Sequence, residues 1–314
     1  MATPQARVAL SLSCKGLPRL DVTSKSDPLA VVELVLPGAG STEVGRTEQI
    51  MNTADPNFAT AVQMDYFFEQ KQSLRLAVYD VDSASASLSR QDYIGEAFCT
   101  LGEILGSVGN SLTLELTRKG KKHGTITVSG EEVAESKFSV QFQLEGSHLD
   151  RMDFFSKSDP FLQFNRIRPD GTWQAIHKTE VIMNNHYPRW KTFSLSASVL
   201  CNGDVNRPLM IECFDWDSDG GHDLIGTCQT TLDTIIKTPQ MSLPLINAKK
   251  QQKKRSYNNS GTLIFRNVVT TPEYSMLDYI SAGCEISVCA SIDFTGSNGY
   301  AAASCLYHPP TDTS

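Results

Sequence analysis

Two copies of one unit lie end to end in this 314-residue chain. Ser24-Lys-Ser-Asp27-Pro28 returns as Ser156-Lys-Ser-Asp159-Pro160, and Thr47-Glu48-Gln-Ile-Met51-Asn52 returns as Thr179-Glu180-Val-Ile-Met183-Asn184, both at an offset of 132. Pro56 and Pro188 keep that offset. Tyr79-Asp80-Val-Asp82 then matches Phe214-Asp215-Trp-Asp217 at 135, and Asp92-Tyr-Ile-Gly95 matches Asp223-Leu-Ile-Gly226 at 131. A fixed period of this kind marks a duplicated structural unit. The offset changes only between apolar runs, where loops accept insertions. The units are placed at 1–132 and 133–270, with 271–314 left over.

Within each unit short apolar runs alternate with turn signals, the pattern of an all-β sandwich. The first unit has runs at 8–13, 29–36, 61–67, 74–79, 93–100, 112–116 and 124–128. The second begins its series at Phe138 and closes it with Gly261-Thr-Leu-Ile-Phe265. Val140, Phe142 and Leu144, separated by Gln141 and Gln143, show the period-2 alternation of a strand with one buried face. Only 103–105 and 232–237 read as helical turns. The pattern predicts two tandem antiparallel β-sandwiches.

A formal charge of −7 argues against nucleic acid, whose phosphates need a basic surface. It also sets a problem for any anionic membrane as partner, unless the charge is neutralised locally. No stretch approaches the ~20 apolar residues that span a bilayer. The N-terminal residues carry no apolar core of a secretory signal. The eight cysteines are scattered, with no CxxC pair, so neither zinc nor a disulfide framework is expected. Cys14, Cys99, Cys213 and Cys228 sit in apolar runs and are expected to be buried. The expected compartment is the reducing cytosol.

Five acidic positions recur in each unit and carry the chemistry. The first supplies Asp21, Asp27, Asp80, Asp82 and Asp92; the second supplies Asp153, Asp159, Asp215, Asp217 and Asp223. The two groups within a unit meet only if their turns share one end of the sandwich, which is how sandwich loops cluster. Carboxylates gathered there repel one another unless cations sit among them. Oxygen-only ligation selects a hard cation, and calcium accepts 6–8 oxygens in a flexible shell. Phosphate oxygens of anionic lipid would fill its remaining positions, turning an acidic face into one that attracts acidic membranes. A lone Asp in a turn means little. Five in each of two copies point to calcium.

Ser-Lys-Ser-Asp-Pro, Asn184-Asn-His-Tyr-Pro188-Arg-Trp190 and the segment from Asp215 to Gly226 resemble signatures of the C2 domain. After the second unit, Leu277-Asp-Tyr-Ile-Ser-Ala-Gly-Cys-Glu-Ile and Asp293-Phe-Thr-Gly-Ser-Asn-Gly299 are similar to the opening of the copine A domain. Residues 7–299 together resemble a copine. That resemblance implies a calcium-dependent phospholipid-binding adaptor whose A domain recruits protein partners. It also implies C2 units of permuted, phospholipase C-like topology. Two departures stand out. Asp80 and Asp92 are twelve apart where Asp215 and Asp223 are eight apart, which puts the reach of Asp92 to the first calcium in question. The chain also ends at Ser314, well short of a whole A domain, and 271–314 is expected to be an incomplete fragment that does not fold by itself. Asp293-x-Thr295-x-Ser297 resembles a metal-ion-dependent adhesion motif, without the later loops that complete such a site. The run 286–292 would be a central strand with no sheet to join.

Phe154 and Phe155 follow Asp153 and are candidates for the bilayer interface, with at least one of them expected to pack inward. The basic run Lys249, Lys250, Lys253, Lys254 and Arg255 is expected to add attraction to an anionic leaflet. Arg166, Arg168, Lys178, Arg189 and Lys191 are candidates for a second basic patch. No Gly-x-Ser-x-Gly, P-loop or kinase signature appears, so no enzyme activity is expected. The expected function is that of a cytosolic adaptor with Ca2+ as cofactor, moving to phosphatidylserine-type membranes when calcium rises. The alternatives are a calcium-independent protein-interaction scaffold and a short competitor of full-length copines.

Overall fold

The computed structural model describes residues 6–20, 24–38, 40–83, 87–134, 137–152, 156–274 and 276–283. Eight strands build the first unit: β1 (Ala6–Lys15), β2 (Pro28–Leu36), β3 (Gly40–Arg46), β4 (Val62–Tyr66), β5 (Ser73–Asp80), β6 (Asp92–Thr100), β7 (Ser111–Arg118) and β8 (Lys121–Glu132). Eight more build the second: β9 (Phe138–Ser147), β10 (Pro160–Ile167), β11 (Trp173–Lys178), β12 (Phe193–Ser196), β13 (Pro208–Asp215), β14 (Asp223–Thr231), β15 (Ser242–Pro244) and β16 (Thr262–Pro272). The helices are short: α1 (Leu101–Gly106), α2 (Ala197–Cys201), α3 (Leu232–Lys237), α4 (Ala248–Lys253) and α5 (Met276–Ser281).

The second unit pairs its strands in the orders β11-β10-β13-β14 and β12-β9-β16-β15, all antiparallel. The first repeats both orders as β3-β2-β5-β6 and β7-β8-β1-β4, with its two sheets stitched into one by the single rung Glu96 to Thr117. These are the tandem antiparallel sandwiches that the repeat predicts.

Alternation places the cores. Val140, Phe142 and Leu144 are buried along β9 and pack with Phe164, Ile211, Leu263 and Phe265. Leu10, Leu12, Leu74, Leu76, Ile94 and Val128 fill the matching core of the first unit. Cys14, Cys99, Cys213 and Cys228 are buried, as their apolar runs predict. Burial pushes the Cys99 thiol up to about 11 and the Cys228 thiol up to about 12, which keeps them uncharged and poorly nucleophilic.

Three elements carry no strong sequence signal. β3 reads Gly-Ser-Thr-Glu-Val-Gly-Arg, with no apolar run, because it is an edge strand whose side chains are mostly solvated. Backbone pairing to β2 and the Arg46–Glu43 ion pair hold it. Helix α2 is capped by the Ser196 hydroxyl, which accepts from the Val199 N–H, and ends on Asn202 in the left-handed region. Helix α4 forms within the basic run, started by the Asn247 side chain, which accepts from the Lys250 N–H.

The two sandwiches share one compact body, Met1–Glu273, and Tyr274–Ser314 is a separate unit. Glu131 at the end of β8 joins the sandwiches. Its carboxylate accepts from Arg166 at 2.7 Å, from Arg207 at 2.6 Å and from Asn202 at 3.0 Å, all three from the second unit. Asn202 completes the joint by donating to the Glu132 carbonyl and accepting from the Ala134 N–H. Gln174 adds a buried bond to the Phe58 carbonyl.

This joint removes Arg166 from the candidate second basic patch, while Arg189 and Lys191 are exposed. Arg166 has a side chain only 8% exposed, committed to Glu131 and to the carbonyls of Ser198 and Val199. Arg189 pairs with Glu145, and burial holds the Lys178 ammonium below its usual range. The run 286–292 and Asp293, Thr295 and Ser297 lie outside the described residues.

Glu131→Ala should leave two buried guanidinium groups facing each other. Breaking a buried pair costs about 3–5 kcal/mol. The expected result in calorimetry is a lower first transition and separation of one unfolding event into two.

Candidate functional site

The repeated motif residues turn out to be the fasteners of one end of each sandwich. Ser26 donates its hydroxyl to the Pro18 carbonyl and accepts from the Leu20 N–H, folding back the chain between β1 and β2. Ser158 does the same with the Asp150 carbonyl and the Met152 N–H between β9 and β10. Thr47 accepts from the Ala30 N–H and Thr179 from the Leu162 N–H. The neighbouring carboxylates, Glu48 and Glu180, accept from backbone N–H groups twelve and eleven residues on, at Thr60 and Lys191.

Asn52 and Asn184 fix the aspartates. Both adopt the left-handed conformation, with φ of 54° and 53°, a region Asn tolerates better than most residues. The Asn52 side chain accepts from the Lys25 N–H, while its own backbone N–H donates to Asp27 Oδ1 at 2.6 Å. Asn184 makes the same pair of bonds to the Lys157 N–H and Asp159 Oδ1. Each aspartate then passes its backbone N–H to the next carboxylate. Asp27 donates to Asp80 Oδ1 and Asp159 donates to Asp215 Oδ1, both at 2.6 Å. The chain thus brings together residues 53 and 56 positions apart.

Asp80 and Asp215 end their strands and are buried. Directly across the ladder stand Asp92 and Asp223, after a bulge that falls at the same rung in both units. The twelve-residue spacing in the first unit therefore does not displace Asp92 along the sheet. The extra residues sit in the connection, which includes a 3-10 turn at Leu88–Arg90. The third-loop aspartates are also held alike. The Asp82 N–H donates to the Gln91 side chain and the Asp217 N–H donates to His222 Nδ1, each acceptor standing one residue before β6 or β14. Sequence reading missed Gln91 and His222, since Gln and His at matching positions share no obvious likeness. Asp21, Asp153, Phe154 and Phe155 lie outside the described residues.

Among the described residues no three His, Cys, Asp or Glu side chains converge closely enough to hold a metal by themselves. What they supply is a fixed pair of carboxylates in each unit, with a third across the ladder. The second oxygen of Asp80 is buried with no hydrogen-bond partner among the described residues. A buried carboxylate oxygen left so is costly unless a cation meets it. All-oxygen donors, a buried charge and loops tied at fixed points fit a hard cation such as calcium.

The ends of the two units touch. Asn52 donates its side-chain N–H to the Ser218 carbonyl of the second unit's third loop at 2.7 Å. Gly220, at a φ of 76°, lies so close that a Cβ there would stand 2.1 Å from the Asn52 carbonyl oxygen. Behind this contact, a cavity of about 170 Å³ is lined by Ile50, Met51, Lys178, Trp216 and His222. Trp216 is half-buried and stacks on His222 with centroids 6.4 Å apart, so it belongs to the seam. Burial, seconded by the Lys178 cation and opposed by Asp219, holds the His222 imidazole below its usual value of 6.5. In its neutral form Nδ1 can accept from Asp217.

Helix α4 stands at the same end as the second unit's aspartates. Lys250 pairs with Asp150 at 2.8 Å, and the Asp150 N–H donates to the Ser260 carbonyl, tying the stretch around α4 to the β9–β10 connection. Lys250 is thereby engaged with protein, while Lys249, Lys253 and Lys254 are exposed. Met51, Met183 and Tyr187, in the β3–β4 and β11–β12 connections, are 58%, 62% and 55% exposed. No helix among the described residues is long and apolar enough to cross a membrane.

A family model described as C2 domain matches residues 9–116 and 140–255. Among solved structures, BON1-C2B is 32% identical, covering 43% of this chain and 93% of its own length, with a TM-score of 0.35. The C2A and C2B domains of Extended-Synaptotagmin 2 are 12% identical over 86% of this chain and 92% of theirs, with a TM-score of 0.32. Their calcium-bound form covers 86% of this chain and 97% of its own, at 12% identity and a TM-score of 0.33.

Ser158→Ala removes a buried hydroxyl that serves a carbonyl and an N–H at once. Leaving such groups unpaired costs about 1–3 kcal/mol. The urea midpoint should fall by that equivalent with an unchanged slope, and Ser26→Ala should behave alike in the first unit.

Proposed function

The chain belongs to the C2 domain family, and from that premise we propose that it is a calcium-dependent phospholipid-binding adaptor, not an enzyme. C2 domains are modules that bind membranes and calcium, and this chain carries two. The observation that carries the proposal is the matched carboxylate register of the two units. In each, one aspartate is bonded through its N–H to a buried second, and a third stands across the ladder from that second.

Bound calcium would supply a hard positive charge whose remaining coordination positions accept lipid phosphate oxygens. Asp27, Asp80, Asp82 and Asp92 would hold it in the first unit, with Asp21 from the sequence pattern. Asp159, Asp215, Asp217 and Asp223 would do so in the second, with Asp153. Asn52 and Asn184 keep the paired carboxylates oriented through their backbone N–H groups, so little ordering remains for the moment of binding. The exposed Lys249, Lys253 and Lys254 add a cationic surface beside the second site.

Within the C2 family we read the chain as a copine, on the order of its two C2 units and the segments at 277–286 and 293–299. On that reading it rests in the cytosol and moves to anionic membranes as calcium rises, with protein partners on the membrane side of that switch. A calcium-independent scaffold is the contrasting reading.

Sedimentation with phosphatidylserine vesicles across a calcium titration separates the two. Wild type should pellet only with calcium, and Asp215→Asn/Asp217→Asn should lose most of that binding. Pelleting that ignores both calcium and the substitutions would establish the scaffold instead. Calcium at a hundredfold excess over its Kd should also stabilise the wild type by about 2.7 kcal/mol.

A further inference from the structure

A cavity of about 440 Å³ opens between the two sandwiches. One wall is β1 and the stretch leading into β4; the other is β10, β11 and the stretch from β12 into α2. It stays hollow because the side chains that meet there are small. Ala9, Ala59 and Ala61 come from the first unit and Ala175 from the second, joined by Leu195 and Val199. The volume admits roughly 15 water-sized groups. A mostly apolar hollow of this size at a domain interface, with a few polar groups in its wall, is how small-molecule sites are built. It shares only Glu48 and Lys178 with the smaller cavity beside Trp216 and His222.

The charged groups in its wall are unequally satisfied. Glu131 accepts from Arg166, Arg207 and Asn202, and Glu48 accepts from the Ala59 and Thr60 N–H groups, so both carboxylates are committed. Lys178 is not. Its ammonium makes no hydrogen bond or ion pair among the described residues, and Glu48 acts on it only at a distance, opposing the burial that disfavours its charge. The buried Arg166 Nε also has no partner among them. A cation held this way is costly until an anion meets it. Along β10 the rungs of Lys178 and Arg166 are three apart, or about 10 Å, with Ala175 on a rung between them. One small anion does not bridge that distance. A multiply charged phosphate would need several free cations in one place and would face Glu48 beside Lys178.

We propose that the cavity between the units binds a free medium-chain carboxylate, its anionic group on Lys178 and its apolar body along the alanines toward Arg166. The carboxylate completes the pairing that Lys178 lacks. The body is buried against both sandwiches at once, so the ligand also holds the units together. None of the aspartates takes part, and the site needs neither calcium nor a bilayer.

The test is titration calorimetry on the full chain with decanoate, in chelator and below the micelle concentration. One decanoate should bind per chain. Decanol, with the same body and no charge, should bind roughly tenfold more weakly, the loss expected for one charge-assisted bond. Lys178→Gln and Lys178→Met, two neutral replacements each checked for a parental circular dichroism spectrum, should bring decanoate down to the level of decanol. Ala61→Leu, at a half-exposed position, should fill the hollow and abolish binding of both. No saturable binding of decanoate, equal binding of decanol, or parental decanoate binding in the Lys178 or Ala61 variants overturns the site. Displacement of bound decanoate by an equal concentration of inositol trisphosphate would assign the cavity to phosphate and overturn the carboxylate.

Discussion

A carboxylate buried at the end of a strand has to be compensated, and Asp80 and Asp215 pose that problem in the same place of each sandwich. Part of the answer is the backbone N–H of Asp27 or Asp159. To present it, the chain between the first two strands of each unit must turn back sharply, and Ser26 or Ser158 holds the turn by bonding across it. The aspartate that donates then needs its own side chain oriented, which brings in Asn52 or Asn184 in a conformation few residues accept. One buried charge therefore propagates constraint through three connections. The short motif Ser-Lys-Ser-Asp-Pro is the trace of that constraint: its second serine fastens the turn, its lysine offers a backbone N–H, its aspartate bonds both ways and its proline opens the strand.

The second organising contact lies away from the cation ends. Glu131 draws two guanidinium groups and an asparagine across the joint between units, one arginine on each carboxylate oxygen, and these charge-assisted bonds offset the desolvation of the joint. Together with the Gln174–Phe58 bond and the bond from Asn52 to Ser218, it fixes the seam at more than one point. Several points suppress rotation where one would act as a pivot. Trp216 stacks on His222 beside the cavity near the loops, which explains why the aromatic residue between two aspartates is half-buried.

Much of this was legible before any coordinates. The offset of 132 located both sandwiches, and alternation along 138–144 located a core strand, because duplication and periodicity survive in the letters themselves. The pairing of Asp27 with Asp80 followed from the clustering of loops at one end. What escaped the sequence had particular causes. β3 was invisible because an exposed edge needs no apolar residues. The fate of Arg166 depended on Glu131 in the other unit, a long-range pairing that local pattern does not encode. Gln91 and His222 perform one task, accepting a backbone N–H, with side chains that share only an acceptor atom. The twelve-residue spacing looked like a displacement of Asp92 and was an enlarged connection instead, since the ladder ends on the same rung in both copies.

Gly220 shows how far the copies have parted. In the second unit the connection reads Ser218-Asp-Gly-Gly-His222, and its first glycine gives the carbonyl of Asn52 room to approach. At the corresponding place the first unit carries the longer stretch from Ser83 to Gln91, which contains no glycine. Asn184, the counterpart of Asn52, would meet a side chain there. The modules that began as duplicates have become a left hand and a right hand. Each has kept its own fastenings, but only in this order do they clasp.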